Sequence, residues 1–218
     1  MKIILGCGFC ALAVLLYAQS LMKLILASAS PRRAEILTDA GIAFDLLPVE
    51  VDETRHHGEG AEDMCQRLAK AKARVAAVRL GAVSEPAIVV AADTTVEIDG
   101  EILGKPDSPE AAREMLHRLS GKTHRVLTGL ALVRLPDGAA RSAVECTEVR
   151  FAALEEAEMD EYVATGEPLD KAGGYAIQGQ GGRFIERVDG CYFNVVGLPL
   201  AKLVRILKEL GWSPRAGR

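Results

Sequence analysis

With 218 residues, the chain is long enough for one large domain or two small lobes around a substantial core. Apolar residues make up 49% and charged residues 26%, which is the composition of an ordinary soluble globular protein. A net charge of −4 without a basic block argues against non-specific nucleic-acid binding, so local basic residues must supply any phosphate chemistry. The five cysteines are scattered and odd in number, so they do not indicate a disulfide framework.

The N-terminal 21 residues differ from the rest of the chain. An almost uncharged apolar run from Ile3 to Tyr17 precedes Ala18-Gln19-Ser20, a pattern typical of a signal peptide and close to the length that spans a bilayer. The alternative is a misplaced start codon, because Met22 followed by a strand-like segment resembles a natural beginning. The cytosolic character of the downstream sequence favours this alternative. It predicts a cytoplasmic protein with an extension over residues 1–21, a domain over 22–212 and a tail over 213–218.

A short strand that leads directly into a helix opens the predicted domain. Residues 24–27 are apolar, Ser30-Pro31 suits an N-cap and first helical position, and Gly41 ends the helix. Arg32 and Arg33 lie in the first turn, where the helix dipole disfavours a positive charge. Together with free backbone N–H groups they predict a phosphate-binding turn, the alternative being a surface helix with two solvated arginines.

Helix and strand patterns alternate downstream. Residues 61–79 predict a helix whose buried stripe is Met64, Leu68, Ala71, Val75 and Val78. Residues 87–92 are continuously apolar, as in a strand buried on both faces. The later elements expected are a hairpin around Asp99-Gly100, a helix between Ser108 and Gly121, strands at 125–135 and 140–151, a helix at 155–165, a strand at 183–188 and a helix at 199–210. This mixture predicts an α/β architecture.

Polar residues follow the buried strand. Asp93-Thr94 comes directly after residues 87–92, so the Asp93 carboxylate is expected at the carboxyl edge of the sheet, where ligands bind in open α/β folds. There it can hold a divalent cation or accept a proton from water, the alternative being a turn-forming residue. Lys105, between Gly104 and Pro106, is placed to reach over a polyphosphate. By its helical position alone, Lys72 is expected to face solvent.

A glycine-rich segment near the C-terminus also predicts ligand contact. Glu167–Gly179 joins a helix end to a loop that contains Asp170, Lys171 and Gln178. Loops of this composition position ligands more often than they merely connect elements.

Six short motifs occur in order: S-A-S-P-R-R, A-A-D-T, L-G-K-P, L-S-G-K-T-H, E-P-L-D-K-A-G-G-Y-A-I-Q-G and N-V-V-G-L-P-L. In this order they resemble the Maf family of nucleoside triphosphate pyrophosphatases, over residues 22 to about 210. The resemblance implies a fold shared with the inosine triphosphate pyrophosphatases, in which helices flank a long curved mixed sheet and two lobes surround a cleft. It also implies hydrolysis of a nucleoside triphosphate to the monophosphate and pyrophosphate with Mg²⁺ or Mn²⁺, by a homodimer without nucleic-acid or membrane partners.

The resemblance assigns roles to individual residues. Asp93 would be the proton acceptor, and Glu50 and Asp93 would hold the metal. The other residues implied to bind the substrate are Ser28, Arg33, Lys72, Lys105, Asp170 and Lys171, with Asp170 as an alternative second metal ligand. The positions associated with base choice are Arg32, Thr94 and Gln178.

These three positions match the branch of the family that acts on dTTP and UTP, with non-standard pyrimidine nucleotides as possible targets. A buried amide such as Gln178 can pair with a pyrimidine edge and penalise the wrong base. The alternatives are a 7-methyl-GTP pyrophosphatase and a regulator of septum formation that acts through binding.

Overall fold

The computed structural model describes residues 22–213. The predicted extension over residues 1–21, and the predicted tail apart from its first residue, lie outside this range. Between residues 22 and 213, no helix is both long enough and apolar enough to cross a membrane.

A seven-stranded mixed sheet forms the centre of the fold. Its strands are β1 (Lys23–Leu26), β2 (Asp45–Leu46), β3 (Ala87–Ile98), β4 (Glu101–Leu103), β5 (Thr123–Leu135), β6 (Ala140–Phe151) and β7 (Ile185–Asp189). The spatial order is β2-β1-β3-β5-β6-β7, and β4 pairs with β3. β1 is parallel to β2 and β3, whereas the remaining pairs are antiparallel. The predicted mixed sheet is therefore confirmed.

Helices cover both faces of this sheet. They are α1 (Pro31–Asp39), α2 (Ala61–Leu80), α3 (Pro109–Leu119), α4 (Glu156–Ala164), α5 (Tyr192–Val196) and α6 (Leu200–Glu209). One face packs against α2, and the other packs against α1, α5 and α6. A third core cluster joins α3 and α4 to the ends of β3, β5 and β6. The short elements β2 and α5 were not predicted from the sequence.

The strand that carries Asp93 is longer than the sequence predicted. β3 continues to Ile98 because β5 pairs with it from Ala87 to Glu97. On its other edge, β1 pairs with Ala87–Val90 and β4 with Val96–Ile98, so neither covers residues 91–95. The expectation that Asp93 follows the end of a strand is therefore wrong. Asp93 lies in mid-strand, at the gap between two edge partners.

The buried face of α2 also differs from the prediction. The residues that pack inward are mainly small, namely Ala61, Cys65, Leu68, Ala69, Ala73 and Ala76, whereas Val78 is 75% exposed. The helix backbone lies so close to β5 that a Cβ at Gly129 would stand 2.3 Å from the Cys65 carbonyl oxygen. Such an approach excludes large side chains from the interface, and so alanines take the place of the predicted apolar stripe.

Candidate active site

An open cleft of about 850 Å³ lies beside residues 91–95 of β3, which pair with β5 on one edge only. Its walls come from the turn between β1 and α1, the loop before α2, the loop after β4, the segment at 170–178 and the end of α5. Every predicted site residue lines this cleft: Ser28, Arg32, Arg33, Glu50, Lys72, Asp93, Thr94, Lys105, Asp170, Lys171 and Gln178. The fold thus brings together residues that are far apart in the sequence.

Three charged side chains meet at the floor of the cleft. Lys72 Nζ donates a hydrogen bond to Asp93 Oδ1 at 2.6 Å and lies 2.7 Å from Glu53 Oε1. The side chains of Asp93 and Lys72 are only 11% and 12% exposed. The solvent-facing position that the helical pattern predicted for Lys72 is wrong, because the close packing of α2 on β3 turns this lysine towards Asp93.

Glu53 was not identified from the sequence. Its carboxylate contacts Lys72, whereas Glu50, the predicted metal-binding residue, lines the same wall and is exposed. The two glutamates and Asp52 belong to a loop without regular secondary structure. Because a periodic pattern is absent there, nothing in the sequence indicates which carboxylate faces Lys72.

The surroundings push the pKa values of Asp93 and Glu53 in opposite directions. Burial raises the pKa of Asp93, and the charges of Lys72 and Arg33 offset this only in part. Burial also acts to raise the pKa of Glu53, but the hydrogen bond and charge of Lys72 hold it below its usual value. One carboxylate is thereby adapted to accept a proton, while the other stays ionised.

Arg33 connects three parts of the chain at the predicted phosphate-binding turn. Its Nε donates to the Gly197 carbonyl oxygen at 2.8 Å, its Nη1 to Ser28 Oγ at 3.1 Å and its Nη2 to Thr94 Oγ1 at 3.0 Å. Thr94 Oγ1 is in turn 3.0 Å from Thr128 Oγ1. A guanidinium has five N–H groups, so these three bonds fix its plane and leave two donors for an anion.

The remaining predicted residues surround the mouth of the cleft. Lys105 and Gln178 are exposed, Arg32 is half-buried, and Lys171 pairs with Asp170. Within residues 22–213, the side chains of Arg32, Lys105 and Gln178 form no hydrogen bond with the protein. Gln178 is exposed in the protein by itself, so its amide becomes buried against a base only when a ligand occupies the cleft.

An arginine of α2 anchors the loop that carries both glutamates. Arg67 donates from Nε to Glu59 Oε1 at 2.6 Å and from Nη2 to Glu59 Oε2 at 2.8 Å. The same Nη2 donates to the Thr54 carbonyl oxygen at 3.1 Å. Because Thr54 directly follows Glu53, this contact sets the position of the loop beside Lys72.

The oxygen donors at the floor of the cleft fit a divalent cation that is bound jointly with a ligand. Residues 22–213 contain no group of three His, Cys, Asp or Glu side chains able to hold a metal ion by themselves. Mg²⁺ characteristically takes only one or two carboxylates and completes its coordination with substrate phosphates and water. Asp93 and Glu53 already converge on one positive group, the Lys72 ammonium. Asp93 and Glu53 are therefore a second candidate pair for a shared cation, beside the predicted pair of Glu50 and Asp93.

The mixed sheet flanked by helices defines an α/β protein. Its cleft contains a buried acid–base pair surrounded by arginine and lysine side chains, and this suits a phosphate-bearing ligand. The chain belongs to the family of Maf-like proteins, which it matches over residues 23–210.

Relatives of known name cover most of the chain. A dTTP/UTP pyrophosphatase of Syntrophus aciditrophicus is 47% identical over 189 residues, which span 87% of this chain and 90% of that protein. Proteins of the same name from Anaeromyxobacter dehalogenans and Myxococcus xanthus are 48% and 50% identical, covering 87% and 86% of this chain and 95% and 92% of theirs.

Two solved structures show a more distant likeness. The Ham1 protein of Staphylococcus aureus has a TM-score of 0.42 at 18% identity, with 60% of this chain and 72% of that chain covered. A nucleoside-triphosphatase, dITP/XTP pyrophosphatase, of Mycobacterium abscessus has a TM-score of 0.37 at 18% identity, with coverages of 87% and 98%.

Proposed function

We propose that this protein hydrolyses dTTP and UTP to the nucleoside monophosphate and pyrophosphate. The observation that carries the proposal is the buried pair of Asp93 and Lys72, with Glu53, beneath a cleft surrounded by arginine and lysine side chains. The relatives named dTTP/UTP pyrophosphatase support the same activity.

The residues suggest a division of roles in the reaction. Asp93 accepts a proton from a water molecule whose oxygen forms a bond to the α-phosphorus, while the bond between that phosphorus and the bridging oxygen breaks and pyrophosphate leaves. Lys72 and Lys105 neutralise charge on the triphosphate, and the two remaining donors of Arg33 bind phosphate oxygens. A divalent cation held by Asp93 and Glu53 would polarise the phosphoryl oxygens.

We propose that residues at the mouth of the cleft select the base of the nucleotide. Arg32 and Gln178 carry donors and acceptors that a pyrimidine can engage. Thr94 acts differently, because its hydroxyl already contacts Arg33 and Thr128. We assign Thr94 an indirect part in recognition, through the position of Arg33.

The test is incubation of the purified protein with dTTP, UTP, dGTP and 7-methyl-GTP in Mg²⁺ or Mn²⁺, with pyrophosphate release as the measurement. Preferential cleavage of dTTP and UTP is expected. Preference for 7-methyl-GTP would replace the pyrimidine assignment, and no pyrophosphate from any substrate would overturn the proposal in favour of a binding role. The homodimer and the cytoplasmic location stay predictions, which sedimentation and cell fractionation would check.

A further inference from the structure

The segment from Glu167 to Phe184 forms one wall of the cleft, although it consists only of short 3₁₀ turns and connecting residues. One carboxylate holds it together. Glu167 Oε1 accepts hydrogen bonds from the Tyr162 hydroxyl at 2.8 Å and the Gly181 amide at 3.2 Å. Glu167 Oε2 accepts the Gln180 amide at 3.0 Å. The beginning of the segment is thereby joined to its far side.

Tyr162 continues this connection into the core. It is fully buried on α4, and its hydroxyl also accepts the Ala176 amide at 3.2 Å. Its ring packs edge-on against Phe184, with 5.2 Å between the centroids. The backbone on both sides of Gln178, at Ala176 and at Gln180, is therefore tied to the same pair of side chains.

The glycines of this segment match the two side chains sterically. A Cβ at Gly179 would lie 2.4 Å from both carboxylate oxygens of Glu167. A Cβ at Gly181 would lie 2.6 Å from the Tyr162 hydroxyl oxygen. Neither glycine has a positive φ. Glycine is therefore needed at these two positions because of the close contacts, and not because of the backbone conformation.

The charge state of Glu167 suits this task. Burial acts to raise its pKa, but the hydrogen bonds from Gln180, Tyr162 and Gly181 hold that pKa below its usual value. Glu167 is therefore an ionised, acceptor-only group at neutral pH, and its hydrogen bonds are charge-assisted. Burial and the contact with Glu167 raise the pKa of Tyr162, which keeps its hydroxyl protonated.

We propose that Glu167, together with Tyr162, is a positioning residue for base recognition. The pair holds residues 176–181 in the shape that presents Gln178 to the nucleotide. This inference rests on the function proposed above and deepens it, because it identifies what sets the position of a base-contacting side chain. Glu167 is not itself among the cleft-lining residues.

The first measurement is amide hydrogen exchange at Gln180 and Gly181 in the full chain, its Glu167→Gln variant and its Tyr162→Phe variant. Glu114→Gln is the matched control, because Glu114 is exposed and its side chain forms no hydrogen bond with any residue between 22 and 213. Exchange about tenfold faster is expected in Glu167→Gln, with no change in the control. Unchanged exchange in a folded Glu167→Gln protein would overturn the proposal. If Glu167→Gln does not fold, Tyr162→Phe provides the test: exchange of the Ala176 amide should become faster, and unchanged exchange would overturn the proposal.

The second measurement is the ratio of the Kd values for α,β-imido-dTTP and α,β-imido-dGTP in Mg²⁺. We expect Glu167→Gln to reduce this preference by about threefold to tenfold, and to have no further effect in the Gln178→Ala background. Three outcomes would each overturn the role of Glu167. They are an unchanged preference despite faster exchange, additive effects in the double variant, and no preference in the unaltered protein. Binding needs no turnover, so a protein that binds with this selectivity but releases no pyrophosphate overturns only the hydrolytic function.

Discussion

Lys72 is the residue on which the electrostatics of the cleft depend. Its ammonium group contacts Asp93 and Glu53 at almost equal distances, so one positive charge compensates two carboxylates. Asp93 can stay charged in its buried position because the Lys72 ammonium compensates part of its negative charge. The Glu53 side chain is half exposed, so water also stabilises its charge. A phosphate-bearing ligand with its cation would bring both negative and positive charge to the floor of the cleft. The Lys72 ammonium would attract the phosphate, and the two carboxylates would attract the cation.

Asp93→Asn should keep the fold and lose most turnover, because asparagine retains the volume and a hydrogen-bonding oxygen but cannot accept the proton. A loss of about 10²–10⁴-fold in kcat is typical for removal of a general base. Pyrophosphate release is the assay, circular dichroism checks the fold, and Asp189→Asn, at an exposed pair with Arg187, is the control. Turnover near the wild-type rate in a folded Asp93→Asn protein would remove Asp93 from the mechanism.

Gln178→Ala should reduce discrimination between dTTP and purine triphosphates more than it reduces the maximal rate. Because Gln178 is exposed without ligand, the loss arises only when a base covers the site and leaves a polar group unpaired, at a cost of about 1–3 kcal/mol. The ratio of kcat/KM values for dTTP and dGTP should therefore fall about tenfold. An equal loss on every triphosphate would place Gln178 in the phosphate-binding or folding machinery.

At the scale of elements, α2 positions both halves of the acidic floor. Its inward face carries Lys72 to Asp93, and Arg67, more than one turn earlier, holds the loop that contains Glu53. Glu59 is the anchor on the loop side, and Arg67 lowers its pKa to about 2, so the pair stays charged under all ordinary conditions. One helix thereby aligns a strand residue with a loop residue.

Arg67→Gln should weaken the proposed site for a divalent cation, because the loop that carries Glu53 loses its anchor while Asp93 and Lys72 stay in place. We expect the Mg²⁺ concentration for half-maximal activity to rise about tenfold, with a smaller change in kcat at saturating Mg²⁺. Lys70→Gln is the control, since Lys70 lies on the same helix and bonds only to Gln66. An unchanged Mg²⁺ requirement would show that Glu53 is held independently of Arg67.

At the scale of the whole molecule, a buried aromatic cluster joins the sheet to the segment that borders the cleft. His124 of β5 shares a 2.8 Å hydrogen bond with the Tyr175 hydroxyl, and Phe151 of β6 packs edge-on against both rings. His124 is only 1% exposed, and burial lowers its pKa to about 4. The neutral imidazole is therefore part of the core.

Acid should destabilise the protein through this histidine. The unfolded chain binds a proton at His124 near the ordinary pKa of 6.5, whereas the folded protein does so only near 4, so stability falls as the pH drops from 6.5 towards 4. The loss at pH 5 is about 2 kcal/mol. Urea unfolding at pH 7.5 and pH 5 should show a smaller loss for His124→Gln than for the unaltered chain. The same loss in both proteins would contradict this assignment.

From the amino-acid sequence alone we obtained the family, the order of the elements apart from β2 and α5, and all the charged residues that line the cleft except Glu53. Residue patterns with strong local causes, such as the Ser30-Pro31 helix start and the Asp99-Gly100 turn, were enough to place helices and strands. The family resemblance assigned Asp93, Lys72, Arg33 and Gln178 to one site, and the structure gathers all four into one cleft.

How these residues contact one another depends on long-range packing, which the sequence patterns did not predict. The length of β3 depends on pairing with β5 along its whole length, which no local pattern encodes, and this pairing puts Asp93 in mid-strand. The inward face of α2 depends on its close approach to Gly129, which selects small residues over the larger apolar stripe. Glu53 and Glu167 take their roles from partners distant in sequence or in an irregular loop, where periodicity carries no information. These contacts join residues that only packing brings together, so they cannot be predicted from local sequence patterns.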